Sequence, residues 1–215
     1  MFARLRHIHA RRARLMQDLD PMRQLEAWEE SCVPSYCHRN LAAAYLSWWR
    51  LYAAAALARR HAQWHAVLDF GAAIGELRRL LPPDLGRYDF IEQSDAAAGY
   101  LLEHTPGAGR QTLASAPDGA YSCVFALDAL EHNPDYAELL VRLAAKLAAG
   151  GVLILSGPTE SRLYRIGRRV AGFHGHYHET NIHQIEAAAR RTLQPIAWRN
   201  LPVGAPLFRL SAWKV

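Results

Sequence analysis

The sequence of 215 residues predicts an α/β domain with a doubly wound, mostly parallel seven-stranded sheet. Strand and helix patterns alternate from Ala66 onward, as successive βαβ units require. The strongly apolar run Tyr121–Leu127 is typical of a strand that is buried on both faces. Two strand patterns, Ile196–Leu201 and Leu207–Lys214, end the chain and predict a terminal antiparallel hairpin. In such a sheet we expect a ligand at the carboxyl ends of the strands.

The individual elements follow from apolar periodicity and from residues that begin or end helices. Further strands are predicted at Ala66–Phe70, Tyr88–Ile91, Gln111–Ala114 and Val152–Ser156. Helices are predicted at Glu76–Leu81, Ala96–His104, Ser161–Phe173 and Asn181–Thr192. Another helix is expected to begin at Asn133-Pro134 and to end at Gly150-Gly151. Residues 1–64 then form a helical extension, and residues 65–215 form the ligand-binding domain with an insertion at about 158–183.

Composition favours a cytoplasmic protein. The three cysteines, Cys32, Cys37 and Cys123, form no CxxC pair, which argues for a reducing compartment and against a disulfide framework. No apolar run reaches the roughly 20 residues of a membrane-spanning helix. The arginine-rich start of the chain argues against a signal peptide.

The net charge of +5 is concentrated at the N-terminus. Arg4, Arg6, Arg11, Arg12 and Arg14 all precede the first acidic residue. We expect a solvated, frayed helix here, and a weak contact with an anionic membrane surface is the alternative. The rest of the chain is neutral overall, so DNA is not expected as a partner.

Two local patterns indicate a nucleoside ligand. In VLDFGAAIGEL, Val67–Leu77, a strand turns through small residues into a predicted helix, so that backbone N–H groups can bind an anionic group. Glu92 follows Gly71 by 21 positions and ends the next strand, where a carboxylate can accept the hydroxyls of a ribose. The alternatives are a turn without a ligand and a surface glutamate. The turn lacks the pattern G-x-G-x-x-G, which disfavours NAD.

Four segments, in this order, resemble class I S-adenosylmethionine-dependent methyltransferases. Val67–Leu77 is similar to their motif I, and Glu92 to their ribose-binding acid. Tyr121–Asp135 resembles motif IV of ubiquinone-biosynthesis O-methyltransferases, and Leu147–Glu160 resembles their fifth strand and the turn before it. In motif I, Ala73 replaces the middle glycine. The resemblance implies the Rossmann-like methyltransferase fold and S-adenosylmethionine as cofactor.

The resemblance also implies roles for single residues. The predicted cofactor-binding residues are Asp69, Gly71, Ala73, Gly75, Glu92, Gln93, Leu127 and Asp128. His132 is the first candidate for a general base, together with Glu131, unless both cap the next helix or orient the glycine loop. The candidates for binding the methyl acceptor, Arg162, Arg165, His176 and His178, have solvated polar surface as their alternative.

Two further positions bear on the cofactor and on metal binding. The acid that often binds the adenine amine is missing, and the segment that should carry it offers only Ser115. In ubiquinone-type relatives an acid-x-x-Glu-His segment can hold a divalent metal, and Asp128, Glu131 and His132 match that spacing. No metal is assigned here. The aromatic residues Tyr36, Tyr45, Trp48 and Trp49 line the pocket or belong to the core.

The sequence therefore predicts a methyltransferase that acts on a small-molecule or glycan-linked acceptor, at oxygen. An inactive scaffold with the same fold is the alternative that Ala73 and the missing acid motivate. A nucleic-acid methyltransferase is the alternative that the arginine-rich start motivates.

Overall fold

The computed structural model describes residues 2–19, 28, 32–161, 164 and 180–215. Its sheet has seven strands in the order β3-β2-β1-β4-β5-β7-β6. Strands β1 to β5 pair in parallel, whereas β7 runs antiparallel to both β5 and β6. The doubly wound sheet with its terminal hairpin is confirmed. The strands are β1 (Ala66–Phe70), β2 (Arg87–Ile91), β3 (Ala108–Arg110), β4 (Tyr121–Leu127), β5 (Leu147–Pro158), β6 (Gln194–Leu201) and β7 (Phe208–Lys214).

The helices of the described residues surround this sheet. They are α1 (Phe2–Leu19), α2 (Val33–Cys37), α3 (Leu41–His61), α4 (Asp95–His104), α5 (Tyr136–Ala145) and α6 (Ile182–Ala189). Side chains of two asparagines cap helix N-termini: Asn40 accepts from the first turn of α3, and Asn181 forms a capping box with Gln184 at α6. None of these helices is long and apolar enough to cross a membrane.

The core lies on both faces of the sheet because successive strand residues point to opposite sides. Val67, Phe125 and Ile154 pack in one cluster with residues of α1 to α4. Their neighbours Leu68 and Val124 pack in the other cluster with α5 and α6. The carboxyl ends of β1 and β4 therefore lie between helical layers, which is where a buried site can form.

The expectation of a frayed N-terminal helix is wrong. Helix α1 buries Ile8, Leu15 and Leu19 in the same core as the sheet. Arg12 is also buried, and its guanidinium donates to the carbonyl oxygens of Tyr36 and His38. Four of the five arginines thus make intramolecular contacts, because Arg11 pairs with Glu76, Arg14 pairs with Asp18 and Arg4 lies over the ring of Tyr52. The weak membrane contact of this segment stays a prediction.

Two of the predicted elements differ from the structure early in the domain. The expected helix Glu76–Leu81 is only a 3₁₀ turn, Arg78–Leu80. Pro82 and Pro83 stop the segment after so few residues that an α-helix is not stable there. The third strand lies at β3 and not at Gln111–Ala114. There Thr112 and Ser115 bond to each other in a turn, which competes with strand pairing.

The helix before β5 also begins and ends elsewhere than expected. It begins at Tyr136 and not at Asn133-Pro134, since the Asn133 amide donates to the carbonyl of Ala129 and does not cap the helix. It ends at Ala145 and not at Gly150-Gly151, which lie inside β5. After it, the carbonyl oxygen of Lys146 accepts from the N–H groups of Ala120 and Tyr121, so the chain pairs with β4 there, and the Lys146 side chain donates to Ala116 and to Asp118.

Candidate functional site

The turn after β1, Gly71–Gly75, has an unusual backbone that glycine favours. Gly71 and Gly75 have φ of 72° and 77°, and Ala73 between them has φ of 48°. A Cβ atom added to Gly71 would lie 2.5 Å from the Cβ of Ala129, so only glycine allows the ends of β1 and β4 to approach this closely. Ala73, at the position where motif I has its middle glycine, therefore adopts a left-handed conformation that glycine favours. We call this segment the glycine turn.

Glu92 holds the glycine turn from the neighbouring strand. One carboxylate oxygen accepts from the Ala73 N–H at 2.7 Å, and the other accepts from the Ser94 N–H at 2.9 Å. The side chain is half-buried at the carboxyl end of β2, where the sequence predicts a ribose-binding acid. Gln93 next to it is exposed. The acid thus lies beside the turn, as the spacing predicted.

Asp69 lies beneath the glycine turn and is almost fully buried. Burial raises the pKa of its carboxyl to about 7, although the hydrogen bond from the Tyr88 hydroxyl, at 2.6 Å, acts in the opposite direction. Tyr88 belongs to β2, so the pair connects two parallel strands below the turn. Sequence reasoning did not identify Tyr88.

Asp128 follows β4 in a strained backbone conformation with φ of 52°. Its carboxylate pairs with Arg50 of α3 at 2.9 Å, and both side chains are buried. The Arg50 guanidinium also lies 4.4 Å from the ring centre of Phe208. Arg50 was missed by sequence reasoning, because nothing in a mostly apolar helix indicates which carboxylate an arginine will reach.

The two catalytic candidates lie on a 3₁₀ turn, Leu130–His132, with different environments. Glu131 is 1% exposed, whereas His132 is exposed. Burial and the neighbouring Asp128 raise the pKa of Glu131 well above its usual range. One oxygen of Glu131, one oxygen of Asp128 and the Nε atom of Arg50 are buried without a hydrogen-bond partner. Such atoms next to a cleft are available for a ligand.

A cleft joins these parts to the N-terminal helices. It is lined by Cys32, Tyr36, Leu51, Asp69, Gly71, Ala72, Ala73, Leu77, Leu127 and Asp128. The structure thus brings together Asp69, Gly71, Ala73, Leu127 and Asp128 of the predicted cofactor-binding set. Among the predicted aromatic residues, Tyr36 lines the cleft, Trp48 is a fully buried core residue, and Trp49 is largely exposed.

Some predicted site residues lie outside the described part of the chain, and another bonds only within its own turn. The predicted acceptor-binding residues Arg162, Arg165, His176 and His178 lie outside the described residues, as does most of the predicted helix Ser161–Phe173. Ser115 bonds to Gln111 and Thr112 within its own turn. Within the described part of the chain, no group of three His, Cys, Asp or Glu side chains is arranged to hold a metal ion.

Solved structures share this fold at low sequence identity. The N-methyltransferase NodS from Bradyrhizobium japonicum WM9, in complex with S-adenosyl-L-homocysteine, superimposes with a TM-score of 0.64 at 14% identity, over 78% of this chain and 86% of that one. The PH0226 protein from Pyrococcus horikoshii OT3 gives 0.66 at 14% identity, over 84% and 95% of the chains. The magnesium protoporphyrin IX methyltransferase of Synechocystis PCC 6803, with bound S-adenosylhomocysteine, gives 0.63 at 16%, over 79% and 84%. The strand order is therefore that of the Rossmann-like methyltransferase fold.

The sequence profile of the methyltransferase domain family matches residues 38–199, which is most of the chain. The chain belongs to this family, within the class I S-adenosylmethionine-dependent methyltransferases. No curated protein sequence matches the chain.

We expect Ala73→Gly to stabilise the protein by about 0.5–1 kcal/mol. A left-handed alanine costs about 1–2 kcal/mol, which the greater freedom of glycine in the unfolded chain offsets in part. The matched control is Ala72→Gly, where no positive φ is relieved and roughly 0.5–1 kcal/mol should be lost. Urea unfolding of both variants measures the difference, and equal destabilisation by both would contradict the role given to Ala73.

Asp69→Asn should change how stability depends on pH. Because the pKa of Asp69 rises from roughly 3.9 in the unfolded chain to about 7 on folding, its contribution is complete below pH 4 and is lost as the pH rises through 7. Between pH 5 and pH 8 the wild type should therefore lose roughly 2–3 kcal/mol relative to the variant. Urea unfolding at both pH values measures this, with Asp84→Asn at an exposed position as control. Parallel pH curves for wild type and Asp69→Asn would refute it.

Proposed function

We propose that this chain transfers the methyl group of S-adenosylmethionine to a hydroxyl oxygen of a small-molecule or glycan-linked acceptor. The observation that carries the proposal is the cleft between the glycine turn of β1 and the end of β4 at Leu127 and Asp128, with the acid of β2, Glu92, bonded to that turn at Ala73. The family membership supports the reaction, and the buried polar atoms beside the cleft support a ligand there. Acceptor binding by Arg162, Arg165, His176 and His178 remains part of the proposal.

The residues of the cleft fit the cofactor. Ala129 packs against Gly71 so closely that no side chain fits there, and the backbone of the turn is left-handed even at Ala73. Glu92 already accepts hydrogen bonds at the position where ribose hydroxyls would be received, and its carboxylate has further lone pairs to offer. The preserved geometry at Ala73 favours a binding protein over a scaffold that has lost its cofactor.

The cofactor supplies an already activated methyl group, so the protein mainly has to orient the acceptor. Orientation of this kind can contribute up to roughly 7–11 kcal/mol to lowering the barrier. For a hydroxyl acceptor we assign proton removal to His132, with Glu131 as the second candidate. A carboxylate whose pKa is raised by burial is a stronger base than one in water, which supports the inclusion of Glu131.

We also propose a cytoplasmic location. Cys32, Cys37 and Cys123 are all free thiols, which suits a reducing compartment. Burial raises the pKa of Cys32 and Cys37 to about 11 and that of Cys123 well above its ordinary value, so none of them is expected to be a reactive thiolate.

Calorimetric titration with S-adenosylhomocysteine tests the cofactor site. We expect binding by the wild type and a loss of about 10²-fold in affinity for Glu92→Ala, because hydrogen bonds to charged groups contribute about 1.5–3 kcal/mol. Glu103→Ala, at an exposed glutamate of α4, should bind like the wild type. Absence of binding to the wild type would refute the enzyme and leave the scaffold.

A transfer assay with methyl-labelled S-adenosylmethionine tests the chemistry. The acceptors are a panel of phenols, hydroxy acids and sugars, with RNA as a separate arm. For an accepted hydroxyl compound, His132→Ala and Glu131→Gln should lower kcat by about 10²–10⁴-fold if each acts as a base, while cofactor affinity is retained. His65→Ala, before β1 at the opposite edge of the sheet, is the control. Unchanged kcat in both site variants would refute the base, and label in RNA alone would replace the proposed acceptor class.

A further inference from the structure

An arginine of α1 contacts the residue that directly follows the glycine turn. Arg11 donates from Nε to one carboxylate oxygen of Glu76 at 3.1 Å and from Nη2 to the other oxygen. Glu76 follows Gly75, and its side chain is completely buried. The two residues are 65 positions apart in the sequence. A two-point contact of this kind fixes both the position and the orientation of the carboxylate.

The glycine turn needs such support because the helix expected behind it is absent. Only the 3₁₀ turn Arg78–Leu80 follows, and it provides few backbone hydrogen bonds to hold Gly75. Arg79 adds a second cation to Glu76, at 3.3 Å. The position of Glu76 is therefore set mainly by arginine side chains and much less by a regular helix.

Helix α1 is itself fixed by contacts that do not involve Arg11. The hydrophobic side chains of Ile8 and Leu15 lie in the core. Polar contacts add to this along the helix, from His7 to Tyr52 at 2.5 Å and from the Tyr100 hydroxyl to Asp18 at 3.1 Å. Arg11 thus extends from a firmly packed helix. Its ion pair with Glu76 therefore fixes the end of the glycine turn relative to that helix.

We propose that Arg11 is a positioning residue that holds the glycine turn in its cofactor-binding geometry through Glu76. Docking of α1 and binding of the cofactor are then coupled: each strengthens the other by the same factor. Arg11 does not line the cleft, so its effect on the cofactor is exerted through the turn. The inference rests on the proposed cofactor site.

Titration of the full chain with S-adenosylhomocysteine tests the coupling. Arg11→Ala should bind about tenfold more weakly, Arg11→Lys should recover part of the loss, and Arg14→Ala should bind like the wild type. Arg14 is the matched control because it lies on the same helix, its side chain is 60% exposed, and its ion pair is with Asp18 of that helix and not with the glycine turn. Wild-type affinity in Arg11→Ala would overturn the proposal.

A second variant covers the risk that an unpaired buried Glu76 prevents folding. Arg11→Met combined with Glu76→Gln removes both charges and keeps the side-chain volume. We expect cooperative unfolding near the wild-type temperature together with weaker binding, a combination that a merely structural pair would not produce. Wild-type affinity in this double variant would overturn the proposal.

Hydrogen exchange without cofactor separates this proposal from the proposed function. Amides of Gly71–Glu76 should exchange faster in Arg11→Ala than in the wild type, while β4 and β5 remain protected. If the wild type binds no cofactor but this difference is seen, the proposed function fails and the positioning role stands. If exchange of the turn is unchanged, the positioning role fails whether or not the cofactor binds.

Discussion

The contact between Gly71 and Ala129 is the constraint on which the site depends. It sets the distance between the carboxyl ends of β1 and β4, because a Cβ added at Gly71 would clash with the Cβ of Ala129. The chain must then leave β1 through three residues with positive φ, and it must leave β4 through Asp128, which is strained in the same sense. Strain at both ends is maintained by the surrounding sheet, whose central strands are buried on both faces.

Around this contact, charged side chains from the N-terminal helices complete the site. Arg50 of α3 pairs with Asp128, and Arg11 of α1 pairs with Glu76. Buried ion pairs of this kind add little net stability, because desolvation of both charges offsets much of their attraction. Their effect is better described as geometric, since each fixes one carboxylate beside the cleft and joins the helices to the sheet at one defined place.

The fold could be predicted well because its signals are local and repeated. The run Tyr121–Leu127 and the terminal hairpin are apolar or alternating over several residues, and the structure has them with nearly the predicted limits. Several of the errors fall at element ends. The Gly150-Gly151 pair suggests a helix stop, yet the helix ends earlier, where the carbonyl oxygen of Lys146 accepts from Ala120 and Tyr121 at the start of β4. A single sequence contains no signal for such a contact.

The sequence by itself determined the order of the elements, the turn that follows β1 and the acids that follow β2 and β4. These depend on residue type and on spacing along the chain, which backbone sterics and apolar burial convert directly into structure. Only the tertiary structure decided that the arginine-rich segment packs as a helix, that Arg50 reaches Asp128, and that Arg11 reaches Glu76. An arginine side chain is long and can pair with any carboxylate within its reach, so its partner is chosen by how the helices pack and not by its position in the sequence.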